Sequence, residues 1–172
     1  AADAEPFGDL VFAHAAAGGH GFRADLALQA LIGTLAAKVA VVVGTFPKLS
    51  ETFIIGDIIG LINHGHDVDI CAFSKPQGEE KIHQDIIDYE LLKRTHYVRS
   101  YAKKRQTVLY CCWLILKGLW RNPKAIIRCL SFRKYTLGET IDNLYKLEMF
   151  LNKRYEIVHC HFGTTAVEFL FL

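Results

Sequence analysis

Two histidines set two residues apart, His159 and His161, close an apolar run that reads Tyr155-Glu156-Ile157-Val158-His159-Cys160-His161-Phe162-Gly163. On a strand this spacing sends both side chains to the same face. Such a pair binds a metal only with further ligands, and no other ligating residue stands at a matching spacing, so a zinc site is not expected. Gly163 lets the chain turn sharply and approach a ligand. A second polar string runs Gly44-Thr45-Phe46-Pro47-Lys48-Leu49-Ser50-Glu51-Thr52. It contains no G-x-G-x-x-G, which makes a nicotinamide or flavin enzyme a poor fit. Lys48 is either a phosphate contact or an exposed loop lysine, and Glu51 either lines a site or only complements a helix N-terminus.

The elements that must position these groups follow from periodicity. Val39 to Val43 is apolar and β-branched without alternation, the pattern of a parallel strand buried on both faces. Gly44 breaks it. Ser50 is the expected N-cap of a helix with Glu51 in its first turn, and Phe53, Ile54, Asp57, Ile58, Leu61 and Ile62 follow at helical spacing. Gly65 ends that helix, and Val68, Ile70 and Ala72 form a second strand with Asp67 and Asp69 on its other face. A βαβ unit of this kind implies a parallel α/β sheet. Many such units are scaffold alone. Here the length and polarity of the loop argue for binding, because ligands of open α/β sheets sit outside the carboxyl ends of the strands, where Gly44 to Thr52 must lie.

The strings FPKLSETFI and GLINHGHDVDI, together with YEIVHCHFG, resemble the N-terminal half of retaining glycosyltransferases of the GT-B fold. The likeness is greatest to family-4 enzymes of bacterial exopolysaccharide and colanic-acid-type biosynthesis, whose strand end D-I-I-H-x-H-F-G is similar to the last string. It covers about residues 38–172. The resemblance implies a Rossmann-like parallel sheet with flanking helices, the acceptor-side domain of a two-domain enzyme, incomplete here, without its C-terminal donor domain and inactive alone. It implies transfer of a sugar from a nucleotide sugar to a bacterial surface polysaccharide, other glycan or lipid-linked precursor. In that chemistry the leaving diphosphate helps deprotonate the acceptor, so neither cofactor nor metal is expected. It assigns His161 to the catalytic cleft floor, hydrogen-bonding a hydroxyl or stabilising charge, and Gly44, Thr45, Lys48, Ser50, Glu51 and Gly163 to substrate binding. His159 is then structural. So is the turn that carries His64 and His66 around Gly65. His83 and His96 have no partner identifiable in sequence.

The chain has 172 residues, 51% of them hydrophobic, which suits one globular domain. Its five cysteines, Cys71, Cys111, Cys112, Cys129 and Cys160, are odd in number and sit in apolar segments, so a reducing cytoplasm is expected rather than a disulfide framework. Cys111 and Cys112 read as small core residues. Residues 1–37 hold twelve alanines and form an Ala/Gly-rich extension of unassigned role. Within it, Ala24 to Leu35 reads as a short amphipathic helix or as upstream sequence joined to the domain. His14 and His20 read as loop residues. The chain ends inside an expected helix, as a partial reading frame would.

Charge is distributed unevenly. Between Glu90 and Glu139 there are no acidic residues and twelve basic ones, within a chain whose net charge is only +2. In that segment Thr107 to Trp120, TVLYCCWLILKGLW, is too short to cross a bilayer, which takes about 20 apolar residues. Flanking cations and tryptophans suit an interfacial helix, with Lys103, Lys104, Arg105, Trp113, Lys117, Trp120 and Arg121 as membrane-surface residues. The other reading is a helix packed on the sheet with its basic ends in water. No nucleic-acid motif accompanies the charge, so nucleic acid is not an expected partner. Pro123 after Asn122 breaks the helix, Lys124 to Phe132 begins another, and Glu139 to Arg154 forms a third that leads into the strand Glu156 to Cys160. The expected protein is a cytoplasmic enzyme held peripherally on the inner membrane face. The alternatives are another GT-B sugar-nucleotide enzyme of epimerase type, or a non-catalytic membrane-associated module.

Overall fold

The strand Lys38–Thr45 reads KVAVVVGT without alternation, and all five residues from Val39 to Val43 are fully buried, as a strand with both faces covered requires. In the computed structural model, described residues are 11–14, 36–78, 82–99, 104–131, 133–151, 153–162 and 165–166, without the side chains of 11–14 and 49. The expected helix over 24–35, together with His20, Lys103 and Gly163, lies outside them.

The strands are β1 (Val11–His14), β2 (Lys38–Thr45), β3 (Asp67–Ser74), β4 (Thr95–Tyr97) and β5 (Ile157–Cys160). The helices are α1 (Thr52–Asn63), α2 (Gln84–Asp88), α3 (Lys104–Arg121), α4 (Pro123–Cys129) and α5 (Leu137–Leu151). Two compact units result, one from Asp9–Tyr97 with Tyr155–Ala166, the other built on Val98–Arg154.

The first unit is a Rossmann-like α/β unit. Its parallel core runs β5-β2-β3-β4, with β1 at the outer edge of β5. The helix stripe that meets the sheet is Ile54, Ile55, Ile58 and Leu61, packed over Val41, Val43, Ile70 and Ile157. Burying four such side chains is worth about 1.5–3 kcal/mol each, so this contact anchors the unit. Phe53 and Asp57, expected in the stripe, are exposed, and Ile55 is buried in their place. Ser50 is not the N-cap. It sits in a 3-10 turn, Leu49–Glu51, and Glu51 occupies the cap position without a side-chain hydrogen bond.

The helix stop is as expected. Gly65 has φ +88°, its N–H donates to Ile62 O at 2.9 Å, and His66 N–H donates to Leu61 O at 3.1 Å. These two bonds make a Schellman motif, which needs the left-handed conformation glycine adopts without strain. His64 and His66 serve the same turn. His64 Nδ1 bonds Gly60 O at 2.7 Å, and Ala37 N–H donates to His66 Nδ1 at 3.2 Å.

A buried carboxylate pins the amino half of the sheet. Asp69, only 7% exposed, accepts from Tyr155 Oη at 3.0 Å and lies 3.3 Å from His96 Nε2 on β4. A carboxylate at this depth is tolerated only because donors meet it. His96 therefore has a partner that its sequence context did not reveal. So does His83, whose Nδ1 accepts from Asp85 N–H at 3.4 Å and caps α2.

The second unit is helical. Asn122 Oδ1 accepts from Ala125 N–H at 3.1 Å, capping α4 with Pro123 in its first turn. Thr136 and Glu139 form a reciprocal capping box ahead of α5, with Thr136 N–H donating to Glu139 Oε2 at 2.7 Å. That contact holds the Glu139 carboxyl below its ordinary range. Cys111, Leu114 and Gly118 form the buried stripe of α3, while Cys112 is exposed and so is not a core residue. Burial pushes the Cys129 thiol up to about 12, which leaves it protonated and unreactive.

Gly118 allows α3 and α4 to meet. A Cβ there would clash with the side chain of Ile126, which is fully buried. Gly118→Ala gains roughly 1 kcal/mol of helix propensity but loses about 1–3 kcal/mol to overpacking, so urea denaturation should show a less stable protein. An unchanged or higher midpoint would mean that the two helices do not approach as described.

Candidate functional site

From β2 the chain steps to β3 and β4 on one side, whereas β5 pairs with the opposite edge of β2, with Val39 opposite Ile157 and Val42 opposite Cys160. Strand order therefore reverses between β2 and β5. In parallel α/β sheets this switch point opens a crevice beyond the carboxyl ends of the two strands. Here those ends lead into Gly44 to Glu51 and into His161 and Phe162. The two polar strings, far apart in sequence, come out at the same edge of the sheet.

The loop after β2 is held at several points. Phe46, buried, donates its N–H to Ser74 O at 3.3 Å and accepts from Tyr97 Oη at 3.0 Å. The Phe46-Pro47 peptide is cis. Thr45 Oγ1 and Ser74 Oγ are 2.8 Å apart, joining the ends of β2 and β3. Ser74 Oγ also donates to Gly44 O at 3.4 Å, so Gly44 takes part through its carbonyl, and a Cβ there would meet nothing within 4 Å. Lys48 and Glu51 pair with each other at 2.8 Å across one turn. An anion reaching Lys48 competes with that carboxylate. Ser50 is exposed.

His161 lies beneath the first half of α1 and is only 2% exposed. Its Nδ1 is 3.6 Å from Asp57 Oδ2, beyond hydrogen-bond length, and Nδ1 has no other hydrogen-bond partner among the described residues. Phe53 meets it edge-on with ring centroids 6.0 Å apart, and Phe53 also meets Phe162 at 6.3 Å. The His159 ring lies 4.5 Å from the His161 ring, on the same side of the strand. Burial first, and His159 second, lower the His161 pKa from its ordinary value to about 3. At neutral pH it is a neutral imidazole. It can give or take a hydrogen bond, but it cannot stabilise negative charge as a cation, which narrows the role expected of it.

Sequence reasoning missed Phe53, Asp57, Ser74, Lys75 and Tyr97. Lys75 Nζ rests 4.8 Å above the Tyr97 ring, which places a second cation at this end of the sheet. The signal for Ser74 and Lys75 was present: the string Phe73-Ser74-Lys75-Pro76 follows the second strand at the same carboxyl end. Among the described residues no group of three or more His, Cys, Asp or Glu could hold a metal ion.

Of the residues expected at a membrane surface, Lys104, Arg105, Trp113, Lys117, Trp120 and Arg121 lie on α3. Lys104 and Arg105 are exposed, and Trp120 is 91% exposed. Trp113 is 46% exposed, stacked on Tyr110 at 5.4 Å, with Lys117 Nζ 4.5 Å above its ring. Arg121 donates from Nη1 to Leu151 O at 2.8 Å, so it fastens the end of α5 as well as carrying charge.

No protein-family model matches the chain, and no curated protein or solved structure matches it either. The fold class is accordingly defined by the Rossmann-like parallel sheet alone, and the site by its switch point.

The depressed pKa of His161 has a measurable consequence. Unfolded chain binds a proton there near 6.5 and folded chain only near 3, so this contribution to stability is complete above pH 6.5 and is lost as pH falls toward 3. Urea unfolding at pH 7.5 and 4.5 should show the loss, at up to about 1.4 kcal/mol per pH unit. His161→Gln, neutral throughout, should flatten it. An equal acid loss in the variant would show that His161 is not buried neutral.

Proposed function

We propose that this chain is the acceptor-side domain of a retaining glycosyltransferase of the GT-B class. Its donor is a nucleotide sugar, and its acceptor is a bacterial surface glycan or a lipid-linked precursor at the cytoplasmic face of the cell membrane. One observation carries the reading. Two of the three sequence strings that resemble that family, one after β2 and one at the end of β5, meet at a single switch point. The composition of that edge supports it further. Thr45, Ser50 and Ser74 offer hydroxyls, Lys48 and Lys75 offer cations, and no dinucleotide glycine fingerprint is present.

In the proposed reaction the acceptor hydroxyl oxygen bonds to the anomeric carbon while the bond from that carbon to the phosphate oxygen breaks on the same face. The acceptor proton passes to the departing diphosphate. His161, neutral and buried behind Phe53, shapes the floor of the site and does not touch the sugar. In that class the donor-binding residues belong to a second domain, so acceptor binding is the activity proposed for these 172 residues.

Calorimetric titration of the chain with a short-chain polyprenyl-diphosphate sugar tests the proposal. Saturable binding is expected, and Lys48→Ala should weaken it by about tenfold through loss of a phosphate contact. Absence of binding, or binding that Lys48→Ala and Thr45→Ala leave unchanged, would overturn the assignment. Vesicle binding without any sugar-ligand binding would favour a non-catalytic membrane module instead.

A further inference from the structure

Helix α3 has two apolar stripes, and only one is buried. Cys111, Leu114 and Gly118 face the helical unit, whereas Leu109 is 71% exposed, Trp113 46%, Leu116 71% and Trp120 91%. The four exposed positions recur at intervals of four, three and four, so they form one continuous strip about 16 Å long at about 1.5 Å of rise per residue. Scattered exposed leucines are ordinary, but a contiguous strip with two tryptophans marks a surface that meets something.

Charge identifies the occupant. Lys104 and Arg105 are exposed at the start of α3, Lys117 rises beside Trp113, and no acidic residue occurs between Glu90 and Glu139. A second copy laid antiparallel on this strip would set Lys104 and Arg105 of one chain toward the Arg121 end of the other, and like charges would oppose it. An anionic lipid surface has the complementary charge. Tryptophan is also the residue that settles at headgroup depth. The helix cannot cross: no described helix is long and apolar enough.

We propose that α3 lies flat in the headgroup region of an anionic bilayer, with Leu109, Leu116 and Trp120 inserted, Trp113 at the interface, and Lys104 and Arg105 on the lipid phosphates. The inference stands apart from the sugar-transfer reading, since vesicle binding can hold without transfer and transfer without vesicle binding.

The test is co-sedimentation of the full 172-residue chain with phosphatidylcholine vesicles, with and without phosphatidylglycerol. Binding is expected only to the phosphatidylglycerol vesicles, with a blue shift of tryptophan emission. Leu116→Glu with Trp120→Glu should weaken partition at least about tenfold, and Lys104→Glu with Arg105→Glu should remove most of its salt dependence. All four side chains are exposed, so far-ultraviolet dichroism and melting should not change. The proposal is overturned by failure of the chain to bind phosphatidylglycerol vesicles, by equal binding of the Leu116→Glu, Trp120→Glu variant, or by a dimer in solution that this variant disperses.

Discussion

Pairing on both edges of β2 is the constraint on which the α/β unit depends. Residues Val39 to Val43 are buried on both faces, and the strand is hydrogen-bonded to β3 on one side and β5 on the other. Without β5, an apolar strand would offer an open edge to any other chain. The strand that closes that edge comes from late in the sequence, after the whole helical unit. Closing β2 therefore requires a long return, and that return reverses the strand order. The switch point is a by-product of satisfying the sheet.

Polar groups inside the unit divide by position. Toward the amino ends of the strands, Asp69 gathers Tyr155 and His96, and Lys38 pairs with Asp67 at 2.7 Å, which ties β2, β3, β4 and the entry to β5 together. Desolvation, with Asp69 and Cys71 nearby, pushes the Tyr155 phenol well above its ordinary range, so it stays a donor. Toward the carboxyl ends the polar groups are less completely used. Lys48 and Ser50 are exposed, Thr45 is half-buried beside Ser74, and His161 is neutral with Nδ1 held just beyond reach of Asp57. The exposed groups at this end, Lys48, Ser50 and Ser74, are the ones placed to exchange their contacts for those of a ligand.

Strong period made the central elements readable. The continuous valine run, the Gly65 stop, the Asn122-Pro123 break, the stripe through Leu144, Leu147 and Phe150, and the strand Ile157–Cys160 all stand where their residue types put them. Three features were not readable for stated reasons. Thr95–Tyr97 is too short to show alternation, and Val11–His14 sits in an Ala/Gly-rich background with no flanking signal. The inward side of α1 was read too far toward Phe53 and Asp57 because both share its helical spacing, whereas they are exposed and Ile55 is buried. Of the candidate site, the two loops were visible in sequence. Their meeting was not, because it depends on which edge of β2 the last strand takes. Nor was the burial of His161, which depends on α1 lying over it.

Hydrogen exchange with and without a soluble polyprenyl-diphosphate sugar addresses the central claim, that ligand binds where β2 and β5 end together. Slowed exchange is expected in Phe46 to Thr52 and in His161 and Phe162 at once, with little change at the Gly65 turn on the opposite end of the sheet. Protection confined to one of the two segments, or centred on the Gly65 end, would contradict it.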